Sequence, residues 1–394
     1  MSKLNTIILF ITMMLPILCS CNGGGTKEAL SGGDTIEMKY ARRLTIVKID
    51  SCAVVTLHDP WNKGQALHTY ILVPDKLAGD DAARYKWAEE LAGTLAASGQ
   101  AADIVRTPLR HAVIATSTHC ALLEKLGKSD AVRGVCDVQY INLPWVKERL
   151  KKGVTTDCGN GMTPTLEKII ETGADAILIS PFQNSGGYGR LGEWGKPIIE
   201  VADYMETSAL GRAEWMKFYG MLFGAEHEAD SIFNDIELRY NQLKAIARKS
   251  ATRLSIIIDK VSGPVWYVPG GKSTLGQIMA DANAEYAFSS DGNSGSLPLT
   301  FETVLAKAKD ADVWMYRHDS RQPATYKALL AENPGYAQFK AFREQRVYGC
   351  STTGESTFYE DTPFSPDLLL RDFIIITHPD LKQLGEPKYF CKLK

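Results

Sequence analysis

"TPTLEKIIETGADAILIS" (Thr163–Ser180) decides the fold, because most of its pattern returns as "LPLTFETVLAKAKDADVWMY" (Leu297–Tyr316). Both stretches run through Pro, Thr, an apolar residue and Glu, then a helical stripe, then Ala-Asp ahead of an apolar strand. Leu166, Ile169, Ile170 and Gly173 take helical positions i, i+3, i+4 and i+7 in the first copy, and Phe301, Val304, Leu305 and Ala308 take them in the second. Each helix is predicted to bury that stripe. Glu167 and Glu302 fall in the first turn, two residues after Thr165 and Thr300, which suit the N-cap, and their carboxylates point away from the core. A helix-to-strand unit written twice predicts two similar α/β lobes.

The rest of the chain fits that plan. At 394 residues it is too long for one ordinary core. "RLTIVKI", "AVVTL" and "HTYILVP" are short β-rich runs and predict a small antiparallel appendage, followed by an Ala-rich helix before Gly99. From Pro108, strand and helix alternate through "HAVIAT", "STHCALLEKLG", "AVRGVCD" and "PIIEVAD", which argues for a mainly parallel sheet with helices on its faces. From Ser208, "SALGRAEWMKFYGMLFGAEHEADSIFNDIELRYNQLKAIARK" reads as one helical rod broken only by Gly211, Gly220 and Gly224. The alternation then resumes from "LSIIID" to "RVYGC", and "SPDLLLRDFIIITHP" reads as a closing helix opened by Pro366. The expected fold class is α/β: two Rossmann-like lobes with mainly parallel sheets, joined by a single long helix, plus an N-terminal β-rich appendage. The expected divisions are 1–20 signal, 21–36 tether, 37–107 appendage and helix, 108–207 first lobe, 208–250 linking helix and 251–394 second lobe.

The first residues carry their own message. Lys3 precedes an apolar run from Ile7 to Leu18 that is too short to span a bilayer, as in an export signal. It ends in Leu18-Cys19-Ser20-Cys21, which resembles a bacterial lipobox, and "NGGGTKEALSGGD" supplies a flexible tether. Cys21 is therefore expected to be the lipidated mature N-terminus, holding the protein in the cell envelope and facing the periplasm; an ordinary cleaved signal peptide is the alternative. A net charge of -2, with 23% charged residues, gives no basic footprint for nucleic acid. Six further cysteines are scattered without a CxxC, and their pairing is left open.

An exported lipoprotein with two α/β lobes, one bridging helix and "TLEKIIETGADAILI" in the first lobe resembles the helical-backbone, class III periplasmic substrate-binding proteins of ABC importers for ferric siderophores, haem and cobalamin. "LGRAEWMKFYGMLFGAEHEA" is similar to that family's linking helix and "PDLLLRDFIIITHP" to its closing helix. The resemblance covers roughly residues 108–394 and departs at the β-rich appendage. It implies that Glu167 and Glu302 dock on Arg pockets of a permease dimer driven by ATPase subunits. It also implies no intrinsic cofactor, no reaction, and a transported ligand that is an iron chelate, corrinoid or haem. Without the resemblance, each Glu is explained by the helix dipole, which favours a first-turn carboxylate by about 0.3–1 kcal/mol.

The ligand candidates follow from strand ends, since loops after parallel strands border the crevice. Ser117, Thr118 and His119 follow the strand "HAVIAT"; Phe182, Gln183, Tyr188 and Arg190 lie in the loop after "AILIS"; Tyr204 ends the first lobe. In the second lobe Trp266, Tyr316 and Arg317 are the candidates, with Tyr359 further on; an Arg beside aromatics suits an anionic chelate and aromatic faces suit a flat macrocycle. Aromatics packed under loops are the plain alternative. "GYGRLG" (Gly187–Gly192) matches GxGxxG but does not open a helix after a strand, so it is not a dinucleotide site. His111, His119 and His318 are the available metal-ligand set, and isolated histidines are more often structural. An envelope enzyme would need a nucleophile with its base, which is not marked here, and a scaffold module would lack a ligand-sized cleft.

Overall fold

The structure is a computed structural model that describes residue 30 and residues 32–75, 81–183 and 187–394. The export signal and Cys21 lie outside the described residues. The first sheet has the order β1 (Asp34–Ile36), β2 (Leu44–Ile49), β3 (Cys52–His58), β4 (Ala66–Pro74) and β5 (Ala102–Thr107). Its first four strands are antiparallel; β2 and β3 meet through Asp50 and Ser51, with Asp50 at φ 52°, as a two-residue hairpin requires. Helix α1 (Asp81–Ala97) then crosses over, so β5 pairs with β4 in parallel. Residues Asp34–Ile36 were expected in the tether; they pair with β2 instead, because a polar edge strand costs little to add to an existing sheet.

The appendage is wired into the base of the molecule. The backbone amides of Lys39, Tyr40 and Ala41 donate to the buried Glu214 carboxylate at 3.0, 2.7 and 2.8 Å. Those of Arg42 and Arg43 donate to Glu206 at 2.9 and 2.8 Å. Buried carboxylates are tolerable when amides satisfy them in this way. Tyr70 on β4 donates its hydroxyl to the Ile198 carbonyl and accepts from the Glu200 amide, covering the edge of the next sheet.

That next sheet belongs to the first lobe. Its elements are β6 (Ala112–Ile114), α2 (Ser117–Lys125), β7 (Val132–Val135), α3 (Pro144–Lys151), β8 (Thr156–Asp157), α4 (Leu166–Glu171), β9 (Ala176–Ile179) and β10 (Ile198–Glu200). The order is β10-β9-β6-β7-β8, all parallel. Helices cover the faces, so β6 and β9 are buried along their whole length and read as unbroken apolar runs.

The expected single rod is three helices: α5 (Ala209–Glu214), α6 (Met216–Phe223) and α7 (Glu226–Lys249). Gly224 is the reason for the main break. It adopts φ 62° as the left-handed cap of α6, a conformation that side chains resist. At Gly220 an added Cβ would lie 2.8 Å from the Ala229 Cβ, so α6 and α7 pack too closely there for any side chain. The 24 residues of α7 span about 36 Å at 1.5 Å per residue and run onto the second lobe, where Tyr240 donates to Asp281 at 2.9 Å.

The second lobe contains β11 (Ser255–Ile258), β12 (Val261–Ser262), β13 (Val265–Pro269), α8 (Thr274–Asp281), β14 (Glu285–Tyr286), β15 (Ser296–Leu299), α9 (Phe301–Ala308), β16 (Val313–His318), α10 (Tyr326–Glu332), α11 (Lys340–Arg343), β17 (Val347–Ser351), α12 (Phe358–Asp361), α13 (Pro366–Thr377) and β18 (Cys391–Lys392). Its main sheet runs β14-β11-β16-β17-β18, parallel except for β18, and β12-β13-β15 form a separate antiparallel sheet. Together the observed sheets give the expected α/β class with a β-rich N-terminal region.

The repeated Ala-Asp now has a structural reason. Asp175 accepts from the amides of Arg110 and His111 at 3.0 and 2.9 Å and returns its own amide to the His111 carbonyl. Asp312 accepts from the amide and hydroxyl of Ser255 and returns its amide to the Ser255 carbonyl. Each Asp ties the start of the strand that follows it to the start of the neighbouring strand, β9 to β6 and β16 to β11. The helical stripes differ more: Ile169 and Val304 are buried in matching positions, but Ile170 is 56% exposed, which corrects its expected core role. Helix α4 is two residues shorter than α9, six against eight, so Ile170 sits in its last turn facing water.

Candidate functional site

A cavity of about 240 Å³ lies between the lobes. Thr118 on α2 reaches it from the first lobe, Arg212 on α5 from the base, Thr274 and Leu275 at the start of α8 and Arg317 at the end of β16 from the second lobe, with Tyr359 on α12 beside them. Parallel strands end at this crevice in both lobes, the usual place for a ligand in open α/β sheets.

Two arginines set its chemistry. Arg212 donates its Nε to Asp203 at 2.9 Å, and Asp203 is also bonded to His119 Nε2 at 2.8 Å. His119 Nδ1 pairs with the Thr116 hydroxyl at 2.7 Å, so the imidazole is held at both nitrogens. Burial alone would raise the Asp203 carboxyl, but His119 and Arg212 outweigh it and hold it below the usual range. Arg317 is held in the same manner: Nε and one terminal nitrogen grip Asp259, whose backbone sits at φ 58° after β11. Each guanidinium is fixed from behind by a carboxylate. The terminal nitrogens of Arg212 have no partner among the described residues, and they suit an anionic oxygen of a ligand.

Hydrogen bonds between the lobes border the cavity. The Thr118 hydroxyl donates to the Tyr359 carbonyl at 2.9 Å, the Asn142 amide donates to Glu360 at 3.1 Å, and Lys125 bonds Ser365. At the base, the Thr274 hydroxyl donates to the Glu206 carbonyl at 3.1 Å. A volume of about 240 Å³ is below the roughly 300–1,000 Å³ of ordinary small-molecule sites. A larger ligand needs more room than the lobes leave here.

The expected ligand residues divide into four groups. Thr118, Arg317 and Tyr359 line the cavity. His119, Trp266 and Tyr316 do not face it: they are 2%, 0% and 3% exposed, and their expected ligand roles are corrected. Trp266 donates its indole to the Ile258 carbonyl and packs against Trp314, Tyr336 and Phe339, while Tyr316 lies on Trp314 and His318. Ser117, Gln183 and Tyr204 do not line the cavity either; Ser117 only opens α2, and Tyr204 donates to the Pro181 carbonyl.

Phe182, Tyr188 and Arg190 belong to a different place. They surround Glu167 in a surface depression of the first lobe, which moves them from the expected ligand rim. Arg190 pairs with the exposed Glu167 at 2.8 Å, and Tyr188 donates to the buried Glu200 at 2.5 Å. The backbone amide at the start of α4 and then the Arg190 guanidinium hold the Glu167 carboxyl below its ordinary value. Glu302 is exposed at the matching turn of α9, where Thr300 accepts from the Thr303 amide as N-cap; Thr165 makes no such side-chain bond.

Arg212, Asp203, Asp259 and Thr274 were not singled out from the sequence. Arg212 had a usable signal: with Glu214 it is a charge inside the otherwise small and apolar "SALGRAEW", where a buried face leaves charges only for a purpose. Asp259 closes "LSIIID" at the end of a parallel strand, another readable position. Cys52, Cys120, Cys136, Cys158 and Cys350 are free and buried, and Cys391 is free and exposed. Among the described residues no group of three His, Cys, Asp or Glu could hold a metal ion, and no helix is long and apolar enough to cross a membrane.

A family model described as periplasmic binding protein matches residues 113–352. An uncharacterized lipoprotein of Methanocaldococcus jannaschii is 28% identical over 300 residues, covering 73% of this chain and 70% of the relative. A possible iron-binding, periplasmic solute-binding protein from Staphylococcus epidermidis superposes with a TM-score of 0.54 at 16% identity, over 68% of this chain and 99% of its own. A periplasmic heme binding protein from Pseudomonas aeruginosa superposes with a TM-score of 0.51 at 18% identity, over 69% of this chain and 93% of its own.

Proposed function

The chain belongs to the periplasmic binding protein family, and from that premise we propose that it captures an anionic iron chelate between its lobes and hands it to an ABC permease. The observation that carries the reading is the cavity with Arg212 and Arg317, each fixed from behind by a carboxylate and each able to meet an anionic oxygen. Preset donors lose little freedom when they bind, which favours affinity. Corrinoid and haem are the second reading. Their main support was aromatic surface, and Trp266 and Tyr316 are inside the core, so the balance moves to the chelate.

Delivery rests on the two exposed carboxylates. Glu167 and Glu302 stand at equivalent helix starts, one per lobe, and we assign them to docking on basic sockets of a two-fold permease. Lipidation at Cys21 holds the protein at the membrane surface near that partner; relatives described as lipoproteins support this. The chain carries its ligand and has no reaction of its own. Native mass spectrometry of protein recovered from iron-limited cells tests the reading. A bound mass matching an iron chelate is expected, and a corrinoid or haem in its place would move the assignment to the second reading.

A further inference from the structure

We propose that the second lobe holds a second small-molecule site, for a polyanion carrying two or more carboxylate or phosphate groups. A cavity of about 750 Å³ opens between the loop after β16, the loop after β17 and the strand β18. It shares no lining residue with the cavity between the lobes. Its volume lies in the range of small-molecule sites, roughly 300–1,000 Å³.

The charges on its walls set the ligand. Arg321 enters from the loop after β16, Lys392 from β18, Lys388 from the segment before it and Lys394 from the segment after it, with His318 at the end of β16, against the carboxylate of Glu355. Lys388 is already paired with Asp361 at 2.7 Å. Arg321 and Lys392 have no ion-pair partner among the described residues and stand on different walls, so one ligand with separated anionic groups can satisfy both. The established architecture gives the site a consequence. Its wall at Thr357 runs directly into α12, whose Tyr359 carbonyl receives the Thr118 hydroxyl across the cleft. An occupant there would brace the element that holds the lobes together.

The test uses the whole protein, metal-free, titrated calorimetrically with tricarballylate in one arm and inorganic pyrophosphate in the other. Cys391 lines this cavity and is the exposed cysteine among those described, so its alkylation by iodoacetamide reports occupancy. We expect saturable binding in at least one arm, slower alkylation of Cys391, and about tenfold weaker binding in Arg321→Ala and in Lys392→Ala. Arg212→Ala should leave both readouts unchanged, which separates this site from the one between the lobes. The arm that binds tells carboxylate from phosphate. No binding in either arm, or loss in Arg212→Ala with Arg321→Ala unaffected, overturns the proposal.

Discussion

Thr118 in the first lobe donates its hydroxyl to the Tyr359 carbonyl of the second, at 2.9 Å, across the mouth of the cavity that holds Arg212 and Arg317. The bond is neutral and sits at the boundary between the lobes. Such a bond contributes about 0.5–1.5 kcal/mol, enough to shift an open-to-closed ratio several-fold while barely touching global stability. Thr118→Val is therefore expected to lengthen the distance between spin labels on the two lobes with the melting temperature nearly unchanged. An unaltered distance distribution would show that other contacts hold the closed form.

The arginines should act on the ligand. A lost charge-assisted hydrogen bond costs about 1.5–3 kcal/mol, or about ten- to a hundredfold in affinity. Arg317→Ala and Arg212→Ala are each expected to weaken binding of an anionic chelate by that much, read by quenching of tryptophan fluorescence. Asp203 keeps His119 as a partner in Arg212→Ala, so the variant should still fold. Full affinity in both variants would put the ligand elsewhere.

Docking should separate from ligand binding. Glu167→Arg and Glu302→Arg are each expected to slow association with the permease in lipid nanodiscs and weaken it about tenfold or more, since charge complementarity governs encounter. Chelate affinity should stay the same. Arg190→Ala, which frees Glu167 from its exposed pair, should leave the melting temperature nearly unchanged, because an ion pair this open to water is screened. A docking variant that loses its ligand would belong to the cavity instead.

Asp312 gives a pH dependence with a definite sign. Burial opposes its ionisation, but hydrogen bonds from Lys340 and Ser255 prevail and hold it at about 2, against an ordinary 3.8. Its folded value is the lower one, so its stabilisation is complete above roughly pH 4 and fades as the pH falls toward 2. The contribution is on the order of 1–2 kcal/mol after some screening by water. Asp312→Asn should lose that much at pH 7 and show a flatter acid limb in urea melts. Equal losses at pH 7 and pH 2.5 would contradict the assignment.

The sequence disclosed the fold better than the site, and particular residues show why. Helix stripes and buried strands are local periodicities, so the twin units around Glu167 and Glu302 could be read directly. Orientation within them could not. β16 is buried along Val313–Tyr316, so apolar alternation does not say which side Tyr316 faces, and the cavity falls to Arg317 one step on. On α2, Thr118 faces the cleft and its neighbour His119 the core, a rotation that only packing decides. Phe182 and Arg190 were placed at the right end of β9, but α4 begins at that same end, and its Glu167 drew the loop to itself. Arg212 was hidden in a segment read as a rod.

The central claim is that the chain binds an anionic iron chelate between its lobes. Its most direct test is calorimetric titration of the intact protein with a panel of ferric siderophores, haem and cyanocobalamin, repeated on the Arg212→Ala, Arg317→Ala double variant. One-to-one binding of an anionic ferric siderophore, lost by about a hundredfold or more in the double variant, is predicted. Tight binding of haem or cyanocobalamin alone, or siderophore affinity equal in the two proteins, would contradict it.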